Sequence, residues 1–317
     1  MRVERIADEA TLGLDAAFVR TVRRNIEQQM REPAERLYGS RASRDAVRKD
    51  LKAVEQLVVY HDYEACCVSV LGRLAAEGQT WAWPLIERIV DNARRCLAEH
   101  AGEGKSFFPI RRLPLHLARC YRFLGLAGGG RRDRLLRETI EKAAGAVVAH
   151  FGQFHPGLSE LCNQTVGTGV NHVAIAAEGV WLAGEVLNRR EWQRMAGDFA
   201  DRLLAFGHRD GYFEENTNDR REGGPSLCYT ALTAGALYHL CRWRGDMPIQ
   251  RFQDCGRFSR MMTDAGLNDL LFADERTNRE QVSVFGLALH SLSEPGRGFL
   301  RLLLADCVRP IGTRVLE

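Results

Sequence analysis

Between residues 170 and 262 the chain alternates two kinds of helix, and this alternation narrows the folds open to it more than any other feature. Val170, Val173, Ile175, Ala177, Val180, Trp181, Leu182 and Val186 wrap most of one helical circumference, whereas Trp192, Met195, Phe199, Leu203 and Phe206 form a single stripe on the next. The pattern repeats. Leu227, Ala231, Leu232, Ala234, Leu237 and Leu240 surround a second apolar helix, and Ile249, Phe252, Cys255, Phe258 and Met262 stripe its successor. A helix apolar on all sides must be enclosed by protein, and one with a single stripe must cover something. The order is therefore inner helix, then outer helix, in two concentric layers of hairpins.

The same period runs through the rest of the chain, with helices expected at 13–31, 44–60, 62–77, 82–100, 110–124, 131–151, 169–188, 190–207, 226–244, 249–264, 281–293 and 297–306. Strand-like alternation is hard to find. Twelve helices in six hairpins make the expected fold an all-α, (α/α)6-like toroid, with an open α-solenoid as the alternative. The inter-hairpin segments 152–168, 208–225 and 265–280 favour the closed ring. They are long and rich in Gly, Asn, Asp, Glu and aromatic residues, as functional loops on a rigid scaffold are.

With 317 residues, 45% of them hydrophobic and 27% charged, the chain has the composition of a soluble globular protein. Low-complexity linkers are missing, and Gly125-Leu126-Ala127-Gly128-Gly129-Gly130 reads as an interhelical loop, so one domain over 1–317 is expected. The 44 basic and 41 acidic residues are well mixed, which argues against nucleic acid as a partner. The N-terminus has no apolar targeting core and no run approaches a membrane span, so no membrane partner and a cytoplasmic location are expected. The nine cysteines have no regular spacing and read as buried thiols. A zinc site from Cys162, Cys228 and Cys241 is the alternative; otherwise no metal and no cofactor are expected.

Chemistry-bearing residues gather where the apolar helices begin. Asn171-His172 opens the first of them, and Pro225-Ser226-Leu227-Cys228-Tyr229 leads into the second, after the polar turn Asp210-Gly211-Tyr212-Phe213-Glu214-Glu215. An amide, an imidazole and a phenol at such starts would stand at one rim of a helical core. Each has a plainer use: Asn171 as a helix cap, His172 as a hydrogen-bonded core histidine, Tyr229 as a packed ring with a satisfied hydroxyl.

Together with Thr168-Gly169-Val170 and Gly266-Leu267-Asn268-Asp269, these motifs make residues 160–280 resemble the heparinase II/III and oligoalginate lyase toroids. In that group an Asn-His pair precedes a catalytic tyrosine that follows an Asp-Gly-x-x-x-Glu-like turn; here Tyr229 lies 58 positions after Asn171. The first 150 residues match only in being helical.

The resemblance implies β-elimination on an acidic oligosaccharide or polysaccharide that contains uronic acid. The C5 proton leaves and the 4-O-linked sugar departs. Removing a proton beside a carboxylate builds further negative charge on it, so donors must already be aimed at its oxygens. Asn171 would supply one, and His172 would assist or act as base. Tyr229 would shuttle the proton, which requires a phenol pKa below its ordinary value of about 10. Arg220 and Arg221 would provide that positive potential or pair with the uronate; their plainer reading is a solvated loop pair. Asn163, Gln164, His155 and Glu215 complete the expected substrate contacts.

The chain also departs from that group. Such lyases usually continue into a β-sandwich that closes over the toroid, and a histidine often follows their tyrosine where Thr230 stands here. The site is then complete within the ring, is covered by a second copy or a partner chain, or has lost its catalytic power. Alternatives to the lyase are a glycoside hydrolase using two carboxylates from Asp210, Glu214, Glu215, Asp219 and Asp274, a uronate C5-epimerase, and a non-catalytic glycan-binding toroid.

Overall fold

The computed structural model describes residues 60–101, 110–126, 129–153, 170–213, 227–263 and 287–308. Among these the chain is helical, with no strand. The expected helices at 13–31 and 44–60, and the expected loops at 152–168 and 265–280, lie outside or almost outside the described residues. No helix among those described is long and apolar enough to cross a membrane. The described residues divide into two compact units.

The first unit holds α1 (Tyr60–Ala76), α2 (Ala82–His100), α3 (Leu113–Leu124), α4 (Arg131–Gln153), and from His172 to Arg202 most of α5 (Val170–Leu187) and α6 (Arg190–Phe206). On α2, Leu85, Ile86, Ile89, Val90, Ala93 and Leu97 recur at helical spacing, and all are buried, so one face is covered and the other solvated. α3 is different. Every residue from Leu113 to Ala118 is buried, which makes α3 a core helix against which α1 and α4 pack. It starts at Leu113 rather than at the expected 110, because Pro114 suits the first turn of a helix and cannot donate from its interior. Ile110, Arg111 and Arg112 therefore form the turn that enters the helix.

α5 is also buried almost all round as far as Gly184, whereas α6 buries only Ala196, Gly197, Phe199, Ala200 and Leu203, so the two kinds of helix are as the sequence implies. α5 and α3 approach closely: a Cβ at Gly179 would stand 2.8 Å from the backbone nitrogen of Leu115. Any side chain there would push the two helices apart. Phe199 of α6 also meets Phe151 of α4, with ring centroids 4.4 Å apart.

The second unit holds the first two residues of α5, the end of α6 from Leu203, α7 (Leu227–Arg244), α8 (Ile249–Met261), α9 (Leu287–His290) and α10 (Glu294–Val308). α7 is buried almost throughout from Thr230 to Cys241, and α8 covers it with Phe252, Cys255, Gly256 and Phe258. Its stripe is shorter than the sequence suggests, since Ile249 is exposed. α10 begins at Glu294 and not at 297. Ser293 Oγ accepts the Gly296 N–H at 3.2 Å as an N-cap, and Pro295 is compatible with the first turn.

Candidate functional site

The polar turn that follows α6 is a built element. His208 N–H donates to the Tyr212 carbonyl at 2.8 Å and Gly211 N–H to the His208 carbonyl at 3.0 Å. The chain can close this tightly because Gly211 has φ +95°, a region that residues with a Cβ rarely enter. The turn is then tied to both neighbouring helices. Arg251 of α8 donates to the His208 carbonyl at 2.6 Å, and Tyr212 packs between His208 and Phe258. On the α7 side, Thr230 Oγ1 accepts from Phe213 N–H and donates to the Phe213 carbonyl, both at 3.2 Å. Thr230 thus docks the turn beside half-buried Tyr229.

Asn171 occupies the second position of α5 and is 2% exposed. Among the described residues, neither its amide nitrogen nor its amide oxygen has a hydrogen-bond partner. The side chain is therefore not capping the helix, since a cap oxygen would take a backbone N–H. Leaving such a group buried and unmatched costs about 1–3 kcal/mol, which a packed core ordinarily avoids.

His172, half-buried, follows on the same helix, and in the first unit its Nδ1 accepts a hydrogen bond from Nε of Arg111 at 2.8 Å. Burial, with the charges of Arg111 and Arg112, holds its pKa down to about 2. The ring is thus neutral near neutrality, with its lone pair engaged at Nδ1 and its proton on Nε2. An imidazole in this state donates; it does not take a proton.

α3 carries further buried polar groups that the sequence reading did not single out. His116 Nδ1 lies 3.0 Å from Ser69 Oγ of α1, and burial together with Arg119 and Arg112 lowers its pKa well below the ordinary value. Arg119 pairs with Glu178 of α5, whose side chain is almost fully buried. Arg111 is itself 2% exposed. The one signal in the sequence was two arginines set between Ile110 and Leu113 in an otherwise apolar stretch. The helical period alone does not mark such cations as buried.

Of the expected site residues, Asn171, His172 and Tyr229 are described. His155, Asn163, Gln164, Glu215, Arg220 and Arg221 lie outside the described residues, as do Glu214, Asp219 and Asp274. Asp210 is described, and its exposed carboxylate lies 3.4 Å from His208. Cys162 and the side chain of Cys228 are outside the described residues; Cys241 is buried. Among the described residues no three His, Cys, Asp or Glu side chains are grouped to hold a metal ion. The chain matches no family model, no curated protein and no solved structure.

The depressed histidines have a consequence for stability. His172, with a folded pKa of about 2, and His290, buried against Phe299 with a folded pKa of about 4, stay neutral while the unfolded chain takes up protons at about 6.5. A depressed folded pKa means that the contribution is complete above the unfolded value and is lost as pH falls below it. Unfolding free energy should fall from pH 6.5 downward by about 1.4 kcal/mol per pH unit for each such group, with His290 levelling off near pH 4. Urea denaturation across this range checks it, and a flat acid limb would contradict it.

Proposed function

We propose that the protein is a lyase that cleaves a uronic-acid-containing glycan by β-elimination, on a toroid of helical hairpins. The observation that carries the reading is Asn171, an enclosed amide with neither polar atom matched among the described residues, immediately ahead of an imidazole kept neutral. A sealed Asn171 is what a non-catalytic toroid would have. An unmatched amide is what such a core would eliminate, and its Nδ2–H is a donor that a carboxylate ligand can use.

In this reading Asn171 Nδ2–H and His172 Nε2–H are the donors that stabilise the uronate as charge builds on it. His172 keeps its donor role at every pH at which the enzyme works. Proton removal then falls to Tyr229: the C5–H bond breaks, the C4–C5 double bond forms, the C4–O bond breaks, and the departing oxygen leaves with a proton. The resemblance at residues 160–280 supports the same assignment. So does the inner and outer character of successive helices, which a ring of hairpins requires.

Incubation with alginate, heparan, chondroitin and hyaluronan fragments tests it through the near-ultraviolet absorbance of the conjugated product. Tyr229→Phe should abolish that absorbance while the helical circular dichroism and the denaturation midpoint remain those of the parent. Turnover by Tyr229→Phe would remove the tyrosine from the mechanism. New reducing ends without absorbance would replace elimination with hydrolysis, and solvent deuterium at C5 without cleavage would replace it with epimerisation.

A further inference from the structure

We propose that Arg111 is a positioning residue that fixes the tautomer and orientation of His172, so that Nε2–H is a permanent donor toward the bound acidic group. The donor role rests on the lyase reading; the control of the ring by Arg111 does not.

Three observations on the first unit carry it. Arg111 is buried in the turn that enters α3, and it is held there by Ile110 and Leu113, which are themselves buried on either side. Its Nε, the one guanidinium nitrogen with a single N–H and a fixed direction, points at His172 Nδ1 from 2.8 Å. A guanidinium cannot give up its proton under these conditions, so Nδ1 can only accept. The ring is left with one arrangement, neutral and protonated at Nε2, and its plane is set by a rigid donor rather than by a rotatable one. Among the described residues, Arg111 and Arg112 place positive charge beside the ring, and both oppose a second proton.

A histidine without this partner divides its proton between the two nitrogens and takes a second one near pH 6.5. It would then present a donor at Nε2 only part of the time, and in acid it would present a charge. Fixing a neutral imidazole as donor is a way to hold a developing anion without a proton that can be lost to it.

The test is nitrogen-15 NMR of the histidine side chains in the full-length protein, with His172 assigned by its loss in His172→Gln. The parent should show His172 as the neutral Nε2–H tautomer with no titration between about pH 5 and 8. Arg111→Met should restore a mixed tautomer and a titration in that range. Arg111→Lys, which keeps the charge and is the milder change to the buried turn, should still suppress protonation yet mix the tautomers. In both variants kcat/KM for elimination should fall by about tenfold to a hundredfold, with KM changing less than kcat. A parent His172 that carries its proton on Nδ1, or that titrates near pH 6.5, overturns the proposal, as does an unchanged tautomer in Arg111→Met. If no glycan is eliminated at all, the lyase reading fails, and the NMR result alone decides the role of Arg111.

Discussion

Replacing Asn171 by leucine should stabilise the protein and abolish elimination in the same variant. Among the described residues the buried amide has no hydrogen bond to lose, so an apolar side chain removes a desolvation penalty of about 1–3 kcal/mol. Leucine is also the better helix former by a few tenths of a kcal/mol, and position 171 lies inside α5. The added methyl volume works against this, so Asn171→Ala is the companion variant: it removes the polar atoms without overfilling the site. Elimination should fall by about a hundredfold to a thousandfold in both, the effect of deleting one donor to a developing oxyanion. Activity lost and stability gained is the signature of a group held for a ligand. If both variants are less stable than the parent in urea denaturation, the amide makes compensating contacts in the native state and the reading of Asn171 falls.

Gly211→Ala should have the opposite effect on stability, and a larger one. The residue has φ +95°, and a Cβ there would lie 2.4 Å from the backbone oxygen of Asp254 on α8, a contact that backbone atoms cannot relieve. Left-handed strain and the clash together predict a loss of about 3 kcal/mol or more. The turn would also leave α8 and loosen its hydrogen bonds to Thr230, next to Tyr229. Arg209→Ala, two residues earlier at a fully solvated side chain, should change stability by less than about 0.5 kcal/mol. Equal midpoints for the two variants would show that the turn is not seated on α8 as described.

These two positions differ in how far each can be read from sequence. Gly211 sits in Asp210-Gly211, a dipeptide that marks a turn by its backbone preference alone, and the turn is there. Asn171 is recognisable as the start of an apolar helix, but a cap and an unmatched amide look identical in a string of letters. Only the surroundings separate them. Helix limits behave in the same way: α2 over Ala82–His100 and α7 over Leu227–Arg244 follow from the period of their apolar residues, whereas α3 and α10 begin where Pro114 and Ser293 allow, which the period does not specify.

Thr230 shows the limit from the other side. In the structure it is a lock that makes two hydrogen bonds to the backbone of Phe213. A threonine in an apolar helix carries no mark of what it reaches across space. His172 and Arg111 are 61 positions apart, and no periodicity joins them.

The order of residues by itself determined the helical class, the two kinds of helix and the place of the turn, because each of these depends on neighbours within a few positions and on the 3.6-residue period. Tertiary structure decided which buried polar groups are matched and which are not, where the proton of His172 resides, and which cation holds it there. Hydrogen bonding and desolvation depend on what surrounds a group in three dimensions, and those surroundings exist only once distant helices have packed.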